Sequence, residues 1–296
     1  LKGIKYNEYW GYHDGEKRNS RVKRVVEPII LLNHDWSIDE NSSLETSIGY
    51  QFGEMGNSRL DYAGGGNPSP AYYQDLPSYF LADTNGPDYE GAYIAQENFV
   101  NDGQINWNRI YDANITNNLS NLNAAYVLYE DRVDDTQLTI NSAYNREINE
   151  NIKITSSVNY RNLVSDNFAE ISDMLGGYSY SNIDSFDNLD YNLLSPNSIV
   201  SDGDKFKYHY KMNAEEISLF SMINFSYNKL EFYLAGDLTN TTYQRDGIFE
   251  NEANAGNSSG KGEEIKFDGY GVKAGITYKF SGKHILDFNS AYLQKA

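Results

Sequence analysis

The residues best equipped to recognise a ligand gather at Asn106-Trp107-Asn108-Arg109, with Tyr111 close behind. Two aromatic faces stand beside amides and a guanidinium, the combination that sugar or chelate recognition uses. Tyr178 and Tyr180, in a second aromatic and polar stretch, join them as ligand-binding candidates. The same rings would also serve to pack long loops together or to form an interfacial girdle. His209, between Tyr208 and Tyr210, is the one histidine placed near a ligand, with a plain loop residue as its alternative. His13, His34 and His284 are scattered, and no pair has metal-ligand spacing.

Catalytic chemistry finds little support. There is no G-x-S-x-G elbow for a serine nucleophile. Cysteine is absent, which removes disulfides, thiolate nucleophiles and thiolate metal sites. Gly256-Asn257-Ser258-Ser259-Gly260-Lys261 superficially matches a phosphate loop, but it is one residue short and Gly262 stands where Ser or Thr is required. Asp83-Thr84-Asn85-Gly86-Pro87-Asp88 offers oxygen ligands and a turn glycine for calcium, lacks the bidentate acid of an EF-hand loop, and reads as an ordinary turn. The N-x-S/T triplets at Asn41, Asn114, Asn118, Asn224, Asn240 and Asn257 are chance matches in a chain rich in Asn and Ser. The expectation is a protein that is not an enzyme and carries no metal or cofactor.

The elements that must position the aromatic stretches are β-hairpins. From Lys211 to Gly236, Ile217, Leu219, Ser221, Ile223, Phe225 and Tyr227 share one face at period two. After the tight Tyr227-Asn228-Lys229 connection, Leu230, Phe232, Leu234, Gly236 and Leu238 resume it. Each arm is long enough to cross a bilayer as a tilted strand of about 9–11 residues. Strands of a soluble sandwich are usually about 5–6 residues. Aromatic residues crowd the turn end, where an interfacial girdle would lie.

The same pattern recurs along the chain. Gly3 to Tyr12 and Val25 to Trp36 read as strands, the second interrupted by Pro28, with a basic patch of Lys17, Arg18, Arg21, Lys23 and Arg24 between them. That patch reads as a solvated turn or as a contact to lipopolysaccharide phosphates. Leu44 to Phe52 alternates cleanly; Leu138 to Tyr144 and Ile152 to Tyr160 form a further hairpin; Tyr270 to Phe280 and His284 to Tyr292 form the last. Between the hairpins, Glu54 to Arg132 loses all periodicity, Val164 to Tyr210 is acidic and loop-like apart from a possible helical turn at Ala169 to Leu175, and Ile248 to Ile265 is a third polar loop. Connectors thus alternate short and long, as in up-and-down outer-membrane barrels with short periplasmic turns and longer extracellular loops. The fold class expected is all-β: a partial antiparallel up-and-down transmembrane β-barrel of about nine strands with long extracellular loops, in a single domain over residues 1–296.

A net charge of -18 argues against nucleic acid or anionic lipid as the main partner and favours one that is neutral, cationic or metal-bearing. A mean hydropathy of -0.64 leaves a barrel open, since barrel strands carry only an alternating signal. The chain opens on Leu1 without a secretory apolar run and ends directly after an alternating stretch, so it reads as an interior piece of a longer protein.

The runs KMNAEEISLF, NFSYNKLEFYLAG and YQRDGIFENEA, followed by GKGEE, FDGYGVKAGITYKF and HILDFNSAYL, resemble the mid-barrel region of TonB-dependent outer-membrane receptors of the type with a carboxypeptidase-like regulatory domain. Lys23 to Trp36 and Asn67 to Phe80 agree more loosely. The resemblance implies a barrel of about 22 strands filled by an N-terminal plug, with uptake driven through an inner-membrane energising TonB complex that engages a short N-terminal box. Box, plug, signal peptide and barrel C-terminus are not found in this sequence, and no site residue transfers from the family. The implied surroundings are outer-membrane lipid and lipopolysaccharide. The implied cargo is a small or oligomeric ligand such as a siderophore, oligosaccharide or peptide, captured by extracellular loops. A passive porin-like barrel and a secreted glycan-binding or adhesin β-sandwich are the alternatives.

Overall fold

The computed structural model describes residues 2–82, 84 and 86–294. The alternating runs are strands of one antiparallel sheet. A small separate hairpin, β1 (Trp10–His13) with β2 (Glu16–Asn19), precedes it. The edge of the sheet follows as β3 (Lys23–Val26) and β4 (Ile29–Asp39), both paired with β5 (Ser42–Tyr62). Pro28 interrupts this edge, and Gly53 lies opposite the break: a Cβ there would stand 2.0 Å from the Val26 carbonyl oxygen, so the close approach needs glycine. The wall continues through β6 (Tyr126–Asn149) and β7 (Ile152–Asp173). The two-residue pair β8 (Tyr180–Ser181) and β9 (Ile199–Val200) lies in the loop that follows, and the wall resumes at β10 (Lys205–Tyr227) and β11 (Leu230–Gly247). After the short β12 (Gly260–Lys261) it ends with β13 (Ile265–Ser281) and β14 (His284–Gln294).

Neighbours in the sheet are neighbours in sequence, β4-β5-β6-β7-β10-β11-β13-β14. Its turns at 40–41, 150–151, 228–229 and 282–283 have two residues each and share one end, with Asn228 in the left-handed region at φ 44°. Segments 63–125, 174–204 and 248–264 emerge at the other end.

Register turns the alternation into two surfaces. Leu32, Ile48, Ile140, Tyr160 and Ile217 are paired residue to residue across five strands, and directly paired residues share a face. One residue away, Asn33, Ser47, Asn141, Asn159, Ser218 and Thr239 make an equally continuous polar row on the other face. The apolar face is bare: Leu32, Leu219, Leu234, Leu238, Phe288 and Tyr292 are all exposed. Its few hydroxyls satisfy one another, Thr46 Oγ1 with Ser142 Oγ at 3.0 Å and Ser156 Oγ with Ser221 Oγ at 2.8 Å. At the turn end Phe225 stacks on Phe232 at 4.4 Å between ring centroids. Towards the loops this face ends abruptly in a charged row, Glu54, Asp134, Asp166, Lys211 and Asp246. Arg132 gathers the first part of it, pairing with Glu54, with Asp134 at 2.9 Å and with Glu170 at 3.4 Å.

Several expectations need correction. Gly3 to Tyr12 is not a wall strand; only Trp10–His13 pairs, and it pairs with β2. Among the described residues the sheet has ten strands, of which eight are long, β4 to β7, β10, β11, β13 and β14, close to the expected nine or so. Strands β5, β6, β7 and β10 run well into the segments read as loops, because strand pairing continues above the charged row around a buried cluster that includes Val127, Tyr129, Ala169, Ile171 and Phe206. Ala169 lies within β7, which reaches Asp173, so no helical turn forms there. The other sheets among the described residues, β1-β2 and β8-β9, are two-stranded and lie at the loop end, so no broad second sheet covers the large one as a sandwich would require. The sheet is open, with β14 at one edge and β3 and β4 at the other.

Candidate functional site

The long connection between β5 and β6 folds into helices: α1 (Pro77–Leu81), α2 (Tyr89–Asn101) and α3 (Trp107–Leu119). Local capping sets the last two. The Asp88 carboxylate accepts a hydrogen bond from the Gly91 N–H, and the Asn106 side chain accepts one from Arg109 N–H. On α3 the residues at Trp107, Ile110 and Asn114 share one face by helical spacing. All three are buried, packing with Ile105, Ala125, Tyr126 and Leu175. Asn114 is the hub. Its Nδ2 donates to the carbonyls of Tyr126 (2.8 Å), Met174 (3.0 Å) and Leu175 (3.1 Å), and its Oδ1 accepts from Ala125 N–H (2.8 Å) and Tyr126 N–H (3.0 Å). One amide thus ties α3 to the start of β6 and to the end of β7.

The hairpin β1-β2 closes the lobe. Its backbone pairs with the strand-like turn before α3, Ile105 N–H donating to Trp10 O at 3.1 Å, so tightly that a Cβ on Gly11 would lie 1.9 Å from the Ile105 carbonyl oxygen. Arg18 stands over the Trp107 ring at 4.7 Å and donates to Tyr111 Oη at 2.6 Å and to Asp173 Oδ2 at 2.5 Å. Trp107 Nε1 donates to the Arg18 carbonyl at 3.0 Å. Burial pushes the Tyr111 phenol up, aided by the nearby Asp173 carboxylate, so it stays a neutral partner.

The candidates therefore divide. Trp107 is fully buried and offers no face to a ligand; Tyr111 is sandwiched between Arg18 and the His13 ring, stacked at 4.1 Å. Their role is to pack the lobe. Asn106 and Arg109 point the other way, and both line a cleft of about 660 Å³ between α2, α3 and the segment from Pro70 to Phe80. Phe80, Ile94, Ala95 and Phe99 supply its apolar lining; Asp75, Asn98, Asn101 and Asp102 supply polar groups. A side chamber of about 130 Å³ shares Pro70, Asp75, Asn106 and Arg109 and reaches Gln104, Ile110 and Tyr126. Arg109 has no carboxylate partner among the described residues. Gln104 Oε1 is buried with no hydrogen-bond partner among the described residues.

Tyr180 lies across the sheet in a second core with Tyr129, Ile171 and Phe206, and its hydroxyl donates to Asp61 Oδ2 at 3.0 Å. Tyr178 is 80% exposed nearby and contributes nothing to the cleft. His209 is a strand residue, held by Asp166 at 2.8 Å and Lys205 at 3.2 Å. The basic patch is not a free turn: Arg18 is held as described, Arg24 pairs with Glu54, Arg21 covers the Tyr9 ring and Lys17 the Trp10 ring. In the second loop Asp184 accepts N–H bonds from Phe186 and Asp187, which hold its carboxyl below the usual range. The calcium-like stretch includes Asp83 and Asn85, outside the described residues. Among the described residues no cluster of metal-ligating side chains occurs. The cleft residues missed by sequence reasoning, Gln104, Asp75, Phe80 and Phe99, had one usable signal: Asp88 and Asn106 are N-cap residues ahead of helical stretches.

No protein-family model matches the chain, and no curated protein matches it. Among solved structures, the toluene transporter TbuX of Ralstonia pickettii aligns with 92% of this chain and 57% of its own, at 7% identity and a TM-score of 0.32. The chain spans a little over half the length of that transporter.

Proposed function

We propose that this chain forms wall strands and extracellular loops of an outer-membrane β-barrel that imports a bulky ligand. One observation carries the reading: a register-matched apolar face, bare over the whole sheet and bounded by aromatic rings at one end and a charged row at the other. Water gives such a face no stable place, whereas lipid does. Its height fits. Ile217 to Tyr227 spans ten residue rises, and at about 3.3 Å each with a tilt of about 45° this covers about 23 Å, close to the apolar band of about 25 Å on bacterial barrels. The two unpaired edges would be costly in lipid, so further strands complete the wall.

The resemblance to TonB-dependent receptors supports an energised mechanism, with a plug in the barrel, the inner-membrane complex as the energy source and the loop lobe as the capture surface. Carbonate washing followed by detergent extraction tests the membrane reading: the protein should resist carbonate and enter detergent, with heat-dependent mobility on gels. Recovery in the aqueous phase would remove it. Uptake in cells lacking the energising complex tests the second step; unchanged uptake would favour the passive barrel.

A further inference from the structure

We infer that the cleft beside Arg109 binds a short peptide by its C-terminal carboxylate. This rests on the membrane-receptor reading for its biological setting and on the cleft for its chemistry. A guanidinium with no ion-pair partner among the described residues, set in a concave site, calls for an anion, and its fork geometry suits a carboxylate. An unpartnered, buried Gln104 Oε1 in the adjoining chamber calls for the opposite, an N–H or O–H donor. Asp75, shared by both spaces, adds an acceptor suited to an ammonium or amide. Phe80 and Phe99 offer apolar surface to a side chain.

A ligand that meets all four demands carries a carboxylate, an N–H donor next to it and an apolar group. A peptide terminus has this arrangement. A neutral sugar leaves Arg109 unmet, and a simple fatty acid leaves Gln104 Oε1 unmet. The cleft volume of about 660 Å³ lies within the range of about 300–1,000 Å³ typical of small-ligand sites.

The test uses the whole chain in detergent with the dipeptide Gly-Phe as probe, followed by calorimetry. Saturable binding is expected, weakened at least about tenfold by Arg109→Gln and by replacing the probe carboxylate with an amide, in line with loss of a charged hydrogen-bonded pair. Gln104→Leu should weaken it severalfold. Arg109 is exposed and Arg109→Gln should leave the protease resistance of the lobe unchanged, so a loss of binding reports the site and not the fold. Absence of saturable Gly-Phe binding by the native chain, or equal binding by Arg109→Gln, overturns the inference. So does maltotriose binding that displaces Gly-Phe and ignores Arg109. The carbonate and detergent extraction is scored separately: detergent-dependent protein that fails to bind rejects the peptide site alone, and aqueous protein that binds rejects the membrane reading alone.

Discussion

Asn114 and Tyr126 exchange hydrogen bonds in both directions, Asn114 Nδ2 donating to the Tyr126 carbonyl at 2.8 Å and Asn114 Oδ1 accepting from the Tyr126 N–H at 3.0 Å. The side chain imitates a strand partner for the first residues of β6 and is wholly buried while doing so. Asn114→Ala would take this partner from the Ala125 and Tyr126 N–H groups and from the Tyr126 and Leu175 carbonyls, while the Met174 carbonyl keeps the Gly177 N–H. At about 1–3 kcal/mol for each buried group left unmade, with partial relief by water, a loss of about 3 kcal/mol or more is expected. Urea titration followed by Trp fluorescence measures it; a change under about 1 kcal/mol would mean the network is dispensable.

Trp107→Ala should reduce lobe stability by about 3–5 kcal/mol, the usual range for deleting a large buried aromatic. The Arg18 guanidinium loses the indole face while keeping Tyr111 and Asp173, and the Arg18 carbonyl loses its indole donor. Loss of ligand capture in this variant would accompany increased cleavage of the lobe by trypsin. A variant that loses capture while its protease pattern stays native would restore Trp107 as a ligand contact.

Asp184 supplies a pH dependence with a definite sign. Its carboxyl is held below its ordinary 3.8 by the Phe186 and Asp187 N–H groups and Tyr191 Oη. A depressed folded-state value favours the folded loop above 3.8 and loses that contribution as pH falls through the lower folded value. Cleavage within 182–197 should rise as pH drops below about 4, and Asp184→Asn should make it insensitive to pH over that window. An acid response that survives Asp184→Asn would assign it to other carboxylates.

Leu219 and Ser218 separate the two faces of one strand. Leu219→Arg on the apolar face should oppose membrane assembly by about 2–4 kcal/mol, whereas Ser218→Arg on the polar face should assemble normally. Folded yield by heat-dependent gel mobility compares them, and equal yields would count against a lipid-facing role for the Leu219 side.

The hairpins were legible because alternation survives wherever one face is apolar. Ile217 to Tyr227 and Leu230 to Leu238 pair in the register their pattern implies, and all four tight turns fall where short connectors stood. Above the charged row that signal vanishes. Glu130 to Asp135 and Asp166 to Glu170 are mostly charged or polar, with only Val133, Phe168 and Ala169 apolar among them, yet strand pairing carries on, helped by cross-strand ion pairs such as Arg59 to Asp131 and Arg132 to Glu170. The helices were hidden for another reason: α3 buries a Trp, an Ile and an Asn, a face that hydrophobic periodicity does not register. At the site, Asn106 and Arg109 were visible as residue types. That Trp107 faces inward follows from the helix, whose turn sends positions 107, 110 and 114 one way and 106 and 109 the other.

The most direct test of the central claim uses the absence of cysteine. Single cysteines placed in turn at positions 216 to 224 of β10 each become the chain's unique thiol, to be labelled with a fluorophore in reconstituted bilayers and exposed to lipid-borne and water-borne quenchers. A membrane wall predicts strict alternation, with 217, 219, 221 and 223 quenched from the lipid and 216, 218, 220, 222 and 224 protected from it. Uniform quenching by the water-borne reagent at both sets would contradict a lipid-facing sheet and, with it, transport across an outer membrane.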